Sequence, residues 1–218
     1  SFTGVPGHAE RDAEDLYRAM EKIHTLLLEV DNLEITGFNL TGYSLGGFNS
    51  AYVAKLDEER KSFNFDRVLL INPPVSLYNS ISLLDRMAEN IPGGVDNFNL
   101  FFDDLLRGFG ELYKRADSTV DSGNFLYAAY QALDLKNEEL AALVGTAFRL
   151  SSASMVFASD VMTDFGYVKP RGMKLDRYSD LKSFQHVVNR LGFTDYYHEY
   201  FYPFYRDYEN AGSRDAFV

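Results

Sequence analysis

The stretch NLTGYSLGGFNSAYVAKL, residues 39 to 56, decides how this chain is interpreted. A short apolar run leads into the pentapeptide GYSLG, residues 42 to 46, and a helical pattern follows directly. The pentapeptide matches G-x-S-x-G, which places a serine on a sharp turn when a strand precedes it and a helix follows. Ser44 is therefore either a nucleophile or a polar residue of a tight turn.

The nucleophile hypothesis rests on what a serine needs in order to react. Its hydroxyl is a poor nucleophile unless it is lifted clear of its surroundings and faces a base. A strand-to-helix turn lifts it, and because neighbouring backbone then lies close, we expect glycine to be required at Gly42 and Gly46. The turn also aims the Leu45 amide, at a helix N-terminus, toward a developing oxyanion. The pattern predicts Ser44 as nucleophile, Leu45 as oxyanion donor and Tyr43 as a residue flanking the substrate.

The segments around this turn have the order helix, strand, turn, helix, strand. Residues 10–30 carry apolar positions at spacings of three and four with acids at the front, which predicts an amphipathic helix. A strand is expected within 34–42, a helix over 45–60 and a second strand within 65–74, where an apolar run meets two prolines. This order is typical of an α/β fold with a parallel sheet.

Strand signals almost vanish after Pro74. Helices are expected at 77–90, 96–116, 123–133, 136–164, 178–191 and 193–209, separated by Gly- and Pro-containing segments. We therefore divide the chain into a partial α/β core, residues 1–75, and a helical cap module, residues 76–218.

Composition excludes several classes of function. The formal net charge of -11 over 218 residues repels a phosphate backbone, and no compact basic cluster offsets it, so we expect no nucleic-acid partner. The chain has no cysteine, hence neither a disulfide frame nor a thiolate metal site. No uninterrupted apolar run is long enough to cross a membrane, which predicts a soluble protein of unknown compartment without a membrane span or targeting segment.

Two pairs of carboxylates raise the question of a metal. They are Asp103 with Asp104, and Asp160 with Asp164. Neither pair has a histidine at ligand spacing, so we interpret both as solvated helix faces. We expect no metal and no cofactor.

The segments LTGYSLGG, residues 40–47, and RVLLINPPVSL, residues 67–77, together with the acidic helix before them, resemble the α/β-hydrolase family, in particular a group of poorly characterised bacterial members. The resemblance covers about the first 75 residues. It implies a fold of the α/β class, a partial α/β-hydrolase-like parallel sheet with a large all-helical cap inserted after the second segment. It also implies a serine hydrolase that cleaves an ester or another acyl bond.

The family's usual order of catalytic residues is serine, acid, histidine, with the last two on later strands. Neither those strands nor the family's earlier strands are visible in this sequence. The chain therefore looks like the middle of a hydrolase, whose catalytic histidine and acid lie outside residues 1–218. Some relatives carry the acid directly after the second segment, but the residue here is Asn72, and a neutral amide does not hold an imidazolium. Asp85, the first acid downstream, is expected to face solvent.

The four histidines of the chain are weighed as candidate bases. The resemblance places His8, on the loop before the first helix, at the same sheet edge as Ser44, where it is expected to line the substrate pocket. His24 is interpreted as a structural residue in mid-helix. His186 and His198 are interpreted as packing residues of the cap helices.

Aromatic residues are concentrated in two helical segments, residues 98–113 and 193–208. They are interpreted in three ways: as an apolar pocket for an acyl substrate, as the core of the helical module, or as a surface for self-association. The main alternative to a hydrolase is a non-catalytic α/β-hydrolase-like protein that keeps the turn as architecture and uses its aromatic helices to bind a ligand or partner.

Overall fold

The computed structural model describes residues 4–30, 34–94, 97–115 and 136–209. In chain order its elements are α1 (Ala9–Leu28), β1 (Asn39–Tyr43), α2 (Leu45–Arg60), β2 (Arg67–Ile71), α3 (Leu77–Ala88), α4 (Phe98–Arg115), α5 (Asn137–Thr163), α6 (Lys182–Val188), α7 (Phe193–Asp195), a π-helical turn (Tyr196–Phe201) and α8 (Tyr202–Glu209). The predicted helices and strands in these ranges are confirmed, although α6 is shorter than expected. The helix expected at 123–133 lies outside the described residues.

The predicted fold class is wrong. The described residues are mostly helical and contain a single sheet of two parallel strands, not an α/β-hydrolase-like sheet carrying a cap. The strands themselves lie where the sequence placed them. The resemblance to the α/β-hydrolase family implied a larger sheet. Apart from these two strands, however, no segment of the sequence has the apolar, β-branched character of a strand.

The sheet pairs β1 with β2 in parallel, with Tyr43 opposite Ile71 at its carboxyl end. The helix α2 connects the two strands and packs against both. The helix α2 also packs against α1, where Ala13, Tyr17, Val53 and Phe63 form a buried core that Leu40 of β1 packs against. The two helices and the sheet thus share one hydrophobic core.

The chain divides into two compact units. The first comprises residues 1–80, 161–167 and 197–218, and the second comprises residues 81–160 and 168–196. The first unit therefore holds the sheet, α1, α2, the π-helical turn and α8. The second holds most of α3 and α5.

In the second unit, the prediction that Asp85 faces solvent is wrong. It is 8% exposed, and its carboxylate accepts hydrogen bonds from the backbone N–H groups of Phe193 and Thr194 at 2.9 and 2.7 Å. The Thr194 hydroxyl and Arg149 donate to it as well. A carboxylate in this position satisfies the orphan amides of a helix N-terminus. Asp85 thus anchors the start of α7.

By length and composition alone, the helix α5 could cross a membrane. This is not predicted from the sequence, because the helix contains no uninterrupted apolar run of that length. A core helix of a soluble protein meets the same criteria, and α5 buries one face that includes the charged residues Arg149 and Asp160. Gly145 on that face approaches the backbone of α3 so closely that a Cβ atom would not fit. The described structure is compatible with a soluble protein.

Candidate functional site: the turn at Ser44

The backbone at Ser44 adopts a conformation that L-amino acids rarely occupy. Its φ is 52° and its ψ is -122°. The Ser44 N–H donates a 2.9 Å hydrogen bond to the carbonyl of Ile71, and its carbonyl accepts one of 3.0 Å from Phe48. A residue held in such a region costs about 1–3 kcal/mol and persists only where the surrounding structure fixes it. The bonds to β2 and to α2 are what fix Ser44.

The side chain of Ser44 is not used as a helix cap. A serine at this position normally accepts a hydrogen bond from an amide of the first helical turn. At the start of α2 the Ser44 Oγ makes no such bond. The described parts of the chain show no hydrogen bond of any kind to this oxygen, and the residue is half-buried. The turn therefore presents a hydroxyl that has no structural task among the described residues.

The glycines around Ser44 have unequal roles. A Cβ atom on Gly42 would overlap the carbonyl of Gly46 and the hydroxyl of Ser50. On Gly47 it would come within 3.0 Å of the Gly42 carbonyl oxygen and 3.3 Å of Pro73. A Cβ atom on Gly46 would meet nothing within 4 Å. The close approach predicted at Gly42 is present. The requirement for glycine predicted at Gly46 is wrong, because a side chain there would meet open space, whereas a Cβ atom at Gly47 would be in tight contact with the Gly42 carbonyl and Pro73.

Leu45 is the first residue of α2, and its backbone N–H belongs to the orphan donors of that helix terminus. The positive end of the helix dipole favours negative charge at this place. The side chains of Tyr43 and Leu45 are 69% and 45% exposed, so the turn is open to an incoming molecule. An oxygen that gains negative charge beside Ser44 would find a donor there.

His8 is the residue before α1 and belongs to the same compact unit as Ser44. Tyr17 of α1 donates to Asp57 of α2, while His24, two turns farther along α1, packs against Phe63 beyond the end of α2. The carboxyl-terminal part of α2 and the residues after it therefore pack along α1 from Glu14, which pairs with Arg60, to His24. The His8 ring packs against Tyr205 at a centroid distance of 4.9 Å.

His198 has a partner that the sequence did not reveal. Its Nε2 lies 3.2 Å from the hydroxyl of Tyr78, just after the N-terminus of α3. His198 sits in the π-helical turn, and such turns are frequent at functional sites. Sequence patterns predict a helix over this segment but contain no signal for the wider turn, so the pair could not be found from spacing.

The remaining histidines are placed as follows. His24 packs edge-on against Phe38 at 4.9 Å, which confirms its structural interpretation. His186 is exposed on α6, in the other unit. Asn72, after β2, has a φ of 48° and forms part of the turn that follows the strand.

Burial shifts the pKa of one carboxyl group near the N-terminus of α1, that of Asp12. Burial raises the pKa of Asp12 to about 6, and the charge of Asp15 adds to this, although the hydrogen bond from the Gly7 amide lowers it. That bond is 2.8 Å long. The sequence indicated only that acids at the front of α1 suit the helix dipole, since burial by tertiary packing cannot be read from the helical pattern.

A second buried carboxyl group holds the turn between α2 and β2. Asp57 accepts hydrogen bonds from the Tyr17 hydroxyl and from the amides of Phe63 and Phe65. Burial acts to raise the pKa of Asp57, but these hydrogen bonds outweigh it and lower the pKa. Burial and the bond to Asp57 raise the pKa of Tyr17.

The aromatic residues of the segment 193–208 lie mainly in protein interiors. The buried ones are Tyr196, Tyr197, Tyr200, Phe201 and Tyr205. Tyr205 exchanges hydrogen bonds with the backbone N–H and carbonyl of Val5, which fixes the segment before α1. This arrangement supports the interpretation of these rings as core. Outside the described side chains lie Phe98, Phe102, Phe109, Tyr113 and Tyr208.

Among the described residues no group of three or more potential ligands could hold a metal ion. Asp103 and Asp104 are exposed as predicted. The interpretation of Asp160 as a solvated residue is wrong, because it is buried and accepts hydrogen bonds of 2.8 Å from the amides of Val168 and Lys169.

Comparisons with protein-family models, with curated proteins and with solved structures find no match for this chain. The hypotheses about function therefore rest on the turn at Ser44.

Proposed function

We propose that the chain belongs to a serine hydrolase that cleaves an ester or another acyl bond, with Ser44 as the nucleophile. The observation that carries the proposal is the backbone of Ser44, strained at φ 52° while its hydroxyl caps nothing. An unfavourable conformation retained without a structural use of the side chain is what a nucleophile on a sharp turn requires. If Ser44 served only the turn, its Oγ would be expected to accept a hydrogen bond from a backbone amide of the helix terminus.

In this proposal the Ser44 oxygen adds to the carbonyl carbon of the substrate and gives its proton to an imidazole base. The Leu45 amide donates to the oxyanion that forms. The alcohol leaves with the proton, and water then releases the acid from the acyl-enzyme. Tyr43, exposed beside the turn, and His8, in the same unit, are proposed to border the substrate.

The preferred substrate is a small molecule with an apolar acyl group. The exposed side chains next to Ser44 are those of Tyr43 and Leu45, and no described cation lies among the residues of the turn, 42–47. The net charge of -11 disfavours nucleic acid as a partner. We propose that the protein works in solution without a membrane span and needs no cofactor.

The base is identified by variants of the histidines in the unit that holds Ser44. His8 and His198 are the candidates, since they belong to the same unit as Ser44 and His24 packs against Phe38. Loss of probe reactivity in His8→Ala or His198→Ala alone would assign the base to this chain. Unchanged reactivity in both would exclude these two histidines as the base.

One observation favours a second function, that of a non-catalytic binding or interaction protein. No histidine is hydrogen-bonded to Ser44 Oγ in the parts of the chain that the structure describes. A turn kept as architecture needs no base. The two functions differ in one measurable property, because an activated serine reacts with a fluorophosphonate and an inactive one does not.

The experiment is labelling of the complete gene product with a fluorophosphonate, followed by location of the adduct by peptide mass. We expect an adduct on Ser44 that is lost in Ser44→Ala and retained in Ser183→Ala, an exposed serine in the first turn of α6. Hydrolysis of p-nitrophenyl esters of increasing chain length then measures the preference for an apolar acyl group. No adduct under any condition favours the second function.

A further inference from the structure

Two buried polar atoms on the helix α5 have no hydrogen-bond partner among the described residues. They are the hydroxyl oxygen Oγ1 of Thr146 and the nitrogen Nε of Arg149. The two residues are 0 and 6% exposed, so bulk solvent does not reach these atoms. Buried polar groups in native proteins are nearly always hydrogen-bonded, and an unpaired one is costly. A pair of them on one helix therefore points to a bound group that satisfies both.

Three serines of the same helix show the usual way in which a helical hydroxyl is satisfied. Ser151, Ser152 and Ser159 each donate to a backbone carbonyl three or four residues earlier, at 2.8 to 3.0 Å. This local bond competes with other partners wherever a serine or threonine lies within a helix. Thr146 makes no such bond in the described structure. Its hydroxyl is thus available to another group on the buried face of α5.

The guanidinium of Arg149 is only partly used by its protein partners. Its Nη2 lies 3.3 Å from an oxygen of Asp85. The Asp85 carboxylate also accepts hydrogen bonds from the amides of Phe193 and Thr194 and from the Thr194 hydroxyl. The Nε–H of an arginine can only donate. The group that satisfies it must therefore carry a lone pair.

The spacing of the two residues lets one small group reach both. Thr146 and Arg149 lie three residues apart, and both belong to the buried face of α5. Residues at this spacing are neighbours on a helix surface, with about 5–6 Å between their Cβ atoms. An oxygen atom between them can accept from Nε–H of Arg149. The same molecule can donate to the Thr146 hydroxyl or accept from it, since a hydroxyl does either.

We propose that one water molecule bridges Thr146 and Arg149 inside the second unit and is part of its folded structure. The bound group is neutral because Arg149 and Asp85 already balance each other, and an added anion would bring net charge into a buried place. Proteins hold about one buried water per 27 residues, typically at polar groups that lack a protein partner. One such water is therefore ordinary for a chain of 218 residues.

The variant Thr146→Val tests the bridge, because valine keeps the shape of threonine and removes its hydroxyl. If a water is bound, valine leaves that water short of a hydrogen bond, and we expect the urea midpoint of unfolding to fall by about 0.5–1 M. If the hydroxyl has no partner, valine removes an unsatisfied polar atom and the midpoint rises. Thr25→Val, at an exposed position of α1, is the matched control and is expected to shift the midpoint by less than about 0.2 M.

A high-resolution crystal structure of the complete gene product identifies the bound group. We expect a water at about 2.7–3.2 Å from both Oγ1 of Thr146 and Nε of Arg149. Crystals soaked in sodium bromide are expected to show no anomalous peak at this position. A bromide peak there overturns the proposal in favour of an anion site. Protein groups bonded to both atoms, or a midpoint that is unchanged or raised in Thr146→Val, also overturn it.

Discussion

A Cβ atom on Gly42 would overlap the carbonyl of Gly46, so the strand and the helix on either side of Ser44 meet with no room for a side chain at position 42. The same substitution at Gly46 would meet nothing within 4 Å. This asymmetry separates a turn fixed by packing from a merely glycine-rich loop.

We therefore predict different results for the two alanine variants. Gly42→Ala forces the backbone apart and is expected to lower the free energy of unfolding by about 2–3 kcal/mol and to abolish labelling of Ser44. Gly46→Ala is expected to stay within about 0.5 kcal/mol of wild type and to keep the label. Urea denaturation and probe labelling of both variants measure this. Equal tolerance at the two positions would contradict the packed turn.

Asp12 is expected to make stability depend on pH. Its pKa of about 6 in the folded chain exceeds the ordinary value of 3.8, so the folded state binds a proton more tightly than the unfolded state. The free energy of unfolding should therefore fall as pH rises from about 4 to 6, by up to about 3 kcal/mol for this group.

The variant Asp12→Asn removes that ionisation and can still accept the hydrogen bond from Gly7. It is expected to be more stable than wild type at pH 7, with the difference vanishing near pH 4. Urea denaturation at several pH values measures this, with the exposed Asp104→Asn as control. A variant that is less stable than wild type at pH 7 would refute this account of Asp12.

The hydroxyl of Tyr17 donates to Asp57 and accepts from the amide of Ser62. Tyr17→Phe leaves the buried Asp57 carboxylate and the partly buried Ser62 amide each short of a hydrogen bond, so we expect a loss of about 2–3 kcal/mol in the free energy of unfolding. Tyr52→Phe, on the same pair of packed helices but without such bonds, is expected to change stability by less than about 0.5 kcal/mol. Thermal or urea unfolding compares the two, and equal losses would show that the network is not stabilising.

In the other unit, Asp85→Ala removes the acceptor for two amides at the start of α7 and leaves Arg149 buried without its ion pair. Breaking a buried pair from one side costs about 3–5 kcal/mol. We expect a loss of this size, against almost none for the exposed Asp103→Ala. Hydrogen exchange of the Phe193 and Thr194 amides provides the local measurement, and unchanged protection there would contradict the anchoring role.

Local structure could be predicted from the sequence because its signals are local. Spacing of apolar residues located α1 and α2, and the apolar run ending at two prolines located β2. The strained turn at Ser44 was predictable for the same reason, since glycine at position 42 and a strand-to-helix change lie within a few residues.

The fold class and several roles depended on contacts between distant segments, which local patterns do not contain. Asp85 was expected to face solvent because its own helix gave no hint that residues 193 and 194 would bring two amides to it. The Tyr78–His198 pair joins residues 120 positions apart through a π-helical turn. Likewise, the apolar run of β2 predicted a buried strand, and only the structure shows its exposure.

Fluorophosphonate labelling of Ser44 in the complete gene product tests the central claim most directly. A single adduct mapped to Ser44, absent from Ser44→Ala and present in Ser183→Ala, is the predicted result. A correctly folded protein in which Ser44 stays unmodified while a control serine hydrolase in the same reaction is fully labelled would contradict it.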